Sequence, residues 1–188
     1  MQQLWLNSIG WDEILPSNLQ TQWTSYSETL NYLNSIRIHR QIICNCPRVL
    51  EIHAFSDSSQ KAYGTCVYLR SIDAKNNINV QLVCSKTKVA PLKTMTIPKL
   101  ELCAALMMVI LVKKIRCILD MPITDILYRT DSKIVISWVG TKPHLLDNFV
   151  SNRVSQIQSL CDHTDNIVFR YIPTKENPAD FLSRGVTP

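Results

Sequence analysis

At 188 residues, with 46% hydrophobic and 19% charged residues, the chain has enough apolar matter for one sizeable core that removes roughly 70% of the unfolded surface from water. One domain plus an appendage is the natural reading, and the net charge of +5 leans toward a polyanionic partner without naming one. The apolar run from Ile97 to Val112 carries Lys99 and Glu101 and is too short to cross a bilayer, so no membrane role is expected.

The opening Met-Gln-Gln-Leu-Trp-Leu lacks the basic region and long apolar stretch of a secretory signal. Seven cysteines stand at positions 44, 46, 66, 84, 103, 117 and 161 without a CxxC pair, which reads as free thiols, several of them buried, in a reducing compartment. Cys44 and Cys46, even with His39 and His53, do not have zinc-ligand spacing. An intracellular protein, cytoplasmic or nuclear, is therefore expected.

In chain order, Leu15, Leu19, Trp23, Tyr26, Leu30 and Leu33 recur at spacings of three and four, the mark of an amphipathic helix. Ser17 and Gln20 form a candidate capping box. This helix carries no cluster of titratable groups, so residues 1–48 are expected to be a helical connector whose stripe packs on the main domain or on a missing neighbour. Short extended runs follow at 49–57, 62–70 and 79–85, separated by polar breaks, which predicts an antiparallel three-strand meander.

A long helix is expected over 98–119, with Pro98 in its first turn and Thr96 or Ile97 as its cap. A strand over 123–130, a short helix over 132–139, helical spacing through Leu146, Val150, Val154, Ile157 and Cys161, and a strand over 167–172 come next. The end, with Asn177 as cap and Pro178 at the first helical position, predicts a last helix. With only four glycines there is no phosphate-cradling glycine loop.

A right-handed crossover from the third strand through the long helix places the fourth strand parallel to the first, at its free side. The sheet order becomes 3-2-1-4-5, a five-stranded mixed sheet flanked by helices. Asp57 and Asp131 then end adjacent parallel strands, beside the switch point where open α/β sheets form clefts.

Singly, each acidic residue has an ordinary explanation. Asp57 would terminate a strand with an Asx turn, Asp131 would cap the helix that follows it, and Asp180 would be a partner of the helix dipole. Glu101 is harder to dismiss, since its neighbours Ala104, Ala105 and Met108 form an apolar surface on which an uncompensated carboxylate costs several kcal/mol. The topology brings all four to one rim of one sheet, where like charges raise one another's pKa values unless cations neutralise them. Two magnesium ions, with manganese an acceptable alternative, suit such hard oxygen donors and suit phosphodiester cleavage.

At these residues the sequence resembles ribonuclease H of the retroelement type, and specifically the segment found in polyproteins of BEL/Pao-class retrotransposons. Four motifs carry the resemblance. They are Phe55-Ser-Asp-Ser-Ser59 with Ala62-Tyr-Gly64, Val89-Ala-Pro-Leu92 with Thr96-Ile-Pro-Lys-Leu-Glu-Leu102, Thr130-Asp-Ser132, and Pro173-Thr-Lys-Glu-Asn-Pro-Ala-Asp180 ending in Leu182-Ser-Arg184. The match runs over roughly 49–185, and Trp11-Asp-Glu-Ile-Leu-Pro16 with Trp23 resembles the connection that follows the reverse transcriptase.

The resemblance implies a ribonuclease H-like domain over 49–188 that cuts the RNA strand of an RNA/DNA hybrid, with Asp57, Glu101, Asp131 and Asp180 as metal ligands and Ser132 and Asn177 near the substrate backbone. Partners would be the hybrid and the reverse transcriptase portion of the same polyprotein, since no polymerase, protease or integrase motif lies in these 188 residues. Many related enzymes carry a histidine before the last aspartate. Here that loop reads Thr174-Lys-Glu-Asn177, and Lys175 is a poor acid or base near neutral pH, so slower turnover is expected.

Lys86, Lys88, Lys93 and Lys99 precede or enter the Glu101 helix and are candidate contacts to DNA-strand phosphates. Groups around Gly64, Ser132 and Asn177 are candidates for reading 2′-hydroxyls. Two alternatives stand beside this reading: a catalytically silent connector or nucleic-acid-binding module, and a transposase or integrase core using Glu176, which leaves Glu101 unexplained.

Overall fold

The apolar and polar alternation of residues 49–89 folds into strands β1 (Val49–Ser58), β2 (Ala62–Ile72) and β3 (Ile78–Val89) of a computed structural model that describes residues 2–161 and 168–185. β1 pairs antiparallel with β2, and β2 with β3. Tight polar turns make the reversals. Ser59 closes the first, its backbone N–H bonded to the Ala62 carbonyl at 2.8 Å, and the Asp73 carboxylate accepts from the N–H groups of Lys75 and Asn77 at 2.8 and 2.9 Å in the second.

Helix α3 (Ile97–Leu119) then crosses over, and β4 (Asp125–Thr130) lies parallel to β1. After α4 (Lys133–Val139) and α5 (Asn148–Leu160), β5 (Phe169–Tyr171) adds in parallel beside β4, and α6 (Asp180–Arg184) ends the described chain. The sheet order is β3-β2-β1-β4-β5, as the crossover rule requires.

Leu50, Ile52 and Ala54 of β1 and Val67 and Leu69 of β2 form one core with Leu102, Ala105, Met108, Val109 and Val112 of α3 and with Val150, Val154 and Ile157 of α5. Alternation sends Gly64 of β2 to the opposite face from Val67 and Leu69. There a Cβ on Gly64 would stand 2.7 Å from the Leu182 Cβ, so the missing side chain is what lets α6 settle on the sheet beside Asp57, the residue paired with Gly64.

Several boundaries differ from the sequence expectations. β3 runs on through Lys86 and Lys88, which pair with Thr65 and Tyr63, because the long β2 continues to offer backbone partners. Ser132 caps α4 by accepting the Val135 N–H at 3.2 Å, so neither Asp131 nor the helix itself takes that position. The last helix starts at Asp180, not at Pro178, with Ala179 as its cap; Asn177 instead accepts the Ala179 N–H at 3.1 Å. β5 is three residues long, and the expected strand start at Ile167 lies outside the described residues.

Residues up to His39 form one compact unit and Arg40–Gly185 a second. In the first, α1 (Gln2–Leu6) precedes α2 (Ser17–Thr29), whose cap is Pro16 with no side-chain hydrogen bond. The capping box of Ser17 and Gln20 is therefore absent, because Ser17 is already inside the helix. The helix tightens to a 3-10 turn over Leu30–Ser35. Leu4, Leu15, Leu19, Trp23 and Tyr26 line one groove within this unit.

Gly64→Ala should cost about 1–3 kcal/mol by forcing α6 off β2, seen as a melting temperature lowered by roughly 2–12 °C. An unchanged melting curve would show that α6 does not depend on this close approach.

Candidate active site

Parallel register determines the centre of the site. Ser56 of β1 stands opposite Thr130 of β4, so the next residues, Asp57 and Asp131, leave adjacent strands side by side. Asp57 is 5% exposed. Burial pushes its carboxyl up to about 6 from the ordinary 3.8; the Ser183 hydroxyl opposes this, and the charges of Asp131 and Asp180 add to it.

Glu101 occupies the second turn of α3, half-buried on the apolar helix. Its carboxyl is raised by burial, held back by a hydrogen bond from Ser132, and raised further by Asp131. Asp131 thus acts on both Asp57 and Glu101. Its Oδ2 accepts the Thr174 hydroxyl at 2.7 Å, while Oδ1 is buried and has no hydrogen-bond partner. Asp180 bears on Asp57 and is itself paired with Arg184, Nε to Oδ1 at 2.6 Å.

The donor chemistry fits hard divalent cations: carboxylate oxygens only, charges that oppose one another's ionisation, and one buried oxygen with an unused lone pair. As placed, no three carboxylate, imidazole or thiol side chains among the described residues converge on a single ion position. Hydroxyls and Arg184 hold the carboxylates separately. The cysteines are free thiols; Cys66 and Cys161 are buried, whereas Cys46 and Cys117 are exposed.

The expected substrate residues have several separate surroundings. Gly64 is buried under Leu182, so its lack of a side chain serves the packing of α6. Asn177 is 3% exposed and engages both ends of its amide internally, donating to the Ser56 carbonyl at 3.0 Å and accepting from Ala179; it ties the loop after β5 to β1. Ser132 is also buried, engaged with Val135 and Glu101.

Lys93 and Lys99 line one groove with Thr96 and Phe149, and the Lys99 Nζ lies 5.3 Å from the centre of the Phe149 ring. Lys86 and Lys88 are exposed on β3. Sequence reasoning missed the hydroxyls of Thr174 and Ser183. The spacing of Ser183 three residues after Asp180 placed it one turn along the same helix, a signal that was available; nothing local marked Thr174.

A family model for the Pao retrotransposon-like RNaseH-like domain matches residues 1–132. The chain belongs to this family. The matched stretch of this Pao-type RNaseH-like domain contains Asp57, Glu101 and Asp131, and Asp180 lies beyond it.

No curated protein matches the chain. Among solved structures it is similar to the N-terminal RNase H domain of Rv2228c from Mycobacterium tuberculosis, at 15% identity and TM-score 0.48 over 76% of this chain and 91% of that one. It is also similar to LC11-RNase H1 from a compost metagenome, in complex with an RNA/DNA hybrid, at 12% identity and TM-score 0.49 over 73% and 96%. The PFV RNase H domain gives 15% identity and TM-score 0.41 over 72% and 90%. No helix among the described residues is long and apolar enough to cross a membrane.

The raised Asp57 pKa carries a stability consequence. Folding holds that proton more tightly than the unfolded chain does, so the stabilising contribution is complete below the unfolded value near 4 and is lost as pH rises through about 6. Asp57→Asn removes the buried charge. Without added metal, it should stabilise the fold by on the order of 1–2 kcal/mol at pH 7.5, after allowing for solvent screening, and by almost nothing at pH 4. Urea denaturation at the two pH values measures the difference.

Proposed function

We propose that this Pao-type domain is a metal-dependent endonuclease that cleaves the RNA strand of RNA/DNA hybrids during reverse transcription, as part of a retrotransposon polyprotein. The observation that carries the reading is Asp131 at the β1–β4 rim, beside Asp57 and within electrostatic reach of Glu101, with its Oδ1 buried and without a partner. Asp57, Glu101, Asp131 and Asp180 would hold two magnesium or manganese ions. When bound, such ions supply an activated water and stabilise the leaving oxygen of a phosphodiester.

The chain's own residues account for the rest. Lys93 and Lys99 border a groove near the entry to α3 and would grip phosphates of the DNA strand, with Lys86 and Lys88 of β3 as further phosphate contacts. Backbone and hydroxyl groups around Ser132 would face the cut strand's 2′-hydroxyls. The loop before α6 supplies Lys175, exposed in a 3-10 turn, in place of a histidine, so proton transfer there falls to solvent and turnover is modest. The reverse transcriptase portion of the polyprotein would deliver the hybrid.

A metal-dependent cleavage assay on labelled RNA/DNA hybrid, beside duplex RNA and duplex DNA, tests this reading. Only the hybrid should be cut, and chelation should abolish cutting. Asp57→Asn, Asp131→Asn and Glu101→Gln should each reduce cleavage by more than about 100-fold under saturating magnesium while hybrid binding persists, whereas Lys175→Ala should change the rate by less than about threefold. Activity should fall as pH drops below 6, because protons compete with metal for the cluster. Wild-type cleavage by Asp57→Asn and Asp131→Asn would replace the nuclease with a binding module.

A further inference from the structure

We infer that the segment from Thr174 to Ser183 is a hydroxyl clamp that orients the two strand-end aspartates, with Thr174 and Ser183 as positioning residues for metal binding; the inference rests on the two-metal reading. Each strand-end aspartate receives one hydroxyl from this segment, Thr174 Oγ1 to Asp131 Oδ2 at 2.7 Å and Ser183 Oγ to Asp57 Oδ2. A carboxylate held at one oxygen loses its freedom to rotate, so its second oxygen presents a lone pair in a fixed direction. At Asp131 that second oxygen is the one buried without a partner.

The clamp is itself anchored at three points. Asn177 donates to the Ser56 carbonyl at 3.0 Å, one residue before Asp57. The Ser59 hydroxyl donates to the Ser183 carbonyl at 2.6 Å, and Leu182 fills the space left by Gly64. Ser56 and Ser59, on either side of Asp57, therefore both hold the segment, and neither hydroxyl depends on the aspartate alone for its place. Thr174 is exposed apart from its bond to Asp131, so it contributes little to the core. An exposed threonine whose hydroxyl donates to a site carboxylate is better explained by orientation of that carboxylate than by stability.

The test is calorimetric titration of the full chain with Mn2+, alongside hybrid cleavage kinetics and thermal melting, for wild type, Thr174→Val and Thr174→Ser. Valine keeps the shape of threonine and removes the donor; serine keeps the donor. Thr174→Val should weaken Mn2+ binding by about 10-fold or more and lower kcat at fixed Mn2+, with KM for the hybrid and the melting temperature unchanged. Thr174→Ser should restore Mn2+ affinity to within about threefold of wild type. Ser183→Ala should act in the same direction through Asp57, but Ser183 is buried, so Thr174 carries the decision. If wild type binds Mn2+ and Thr174→Val binds it equally well, the clamp is wrong while the two-metal reading stands. If wild type binds no Mn2+, the two-metal reading fails and the clamp with it.

Discussion

Two carboxylates delivered to neighbouring positions by adjacent parallel strands oppose each other's ionisation, and the β1–β4 register imposes this on Asp57 and Asp131. Parallel pairing requires a crossover, the crossover requires α3, and α3 brings Glu101 to the same rim on a helix that is otherwise core. The fold that buries Leu102, Met108 and Val112 is thus the fold that gathers the charges. A site of this kind stores unfavourable electrostatics, and cations are the natural means of relieving them.

The molecule also restrains these charges with neutral donors. Ser183, Thr174 and Ser132 each donate to a different carboxylate, and Arg184 brings a positive charge to Asp180. Neutral donors hold a carboxylate in place without cancelling its charge, which keeps it available to a cation. Arginine does the reverse, and Asp180, half-buried and reached by an exposed guanidinium, is the carboxylate least committed to the rim. An exposed pair at i,i+4 is weak, so that engagement is readily exchanged.

The face opposite α3 has a different economy of contacts. α6 sits on the sheet beside Asp57, and it does so because Gly64 leaves the necessary space. The C-terminal segment is short, yet Asn177, Leu182 and Ser183 all tie it to β1 or β2. Its packing and its service to the site are the same set of contacts.

From the sequence alone, element order and sheet order follow. Extended runs between polar breaks marked β1 to β3, Pro98 and its cap marked α3, helical spacing marked α5, and the handedness of crossovers placed β4 beside β1. The four acidic residues could be singled out because strand ends and helix starts are topological positions, and topology follows from element order. What tertiary structure decided is whatever depends on distance between segments far apart in the chain. Asn177 and Gly64 were candidate substrate contacts by sequence, and only the fold shows the tie of the first to Ser56 and the seat that the second leaves for Leu182. β3 outran its alternation because β2 supplied partners, and Ser17 fell inside its helix because Pro16 preceded it as cap. The pairings of the carboxylates, Thr174 to Asp131 across 43 residues and Ser183 to Asp57 across 126, are not written locally even where helical spacing sets Ser183 beside Asp180, since a hydroxyl's hydrogen bond is chosen by what the completed fold places within reach.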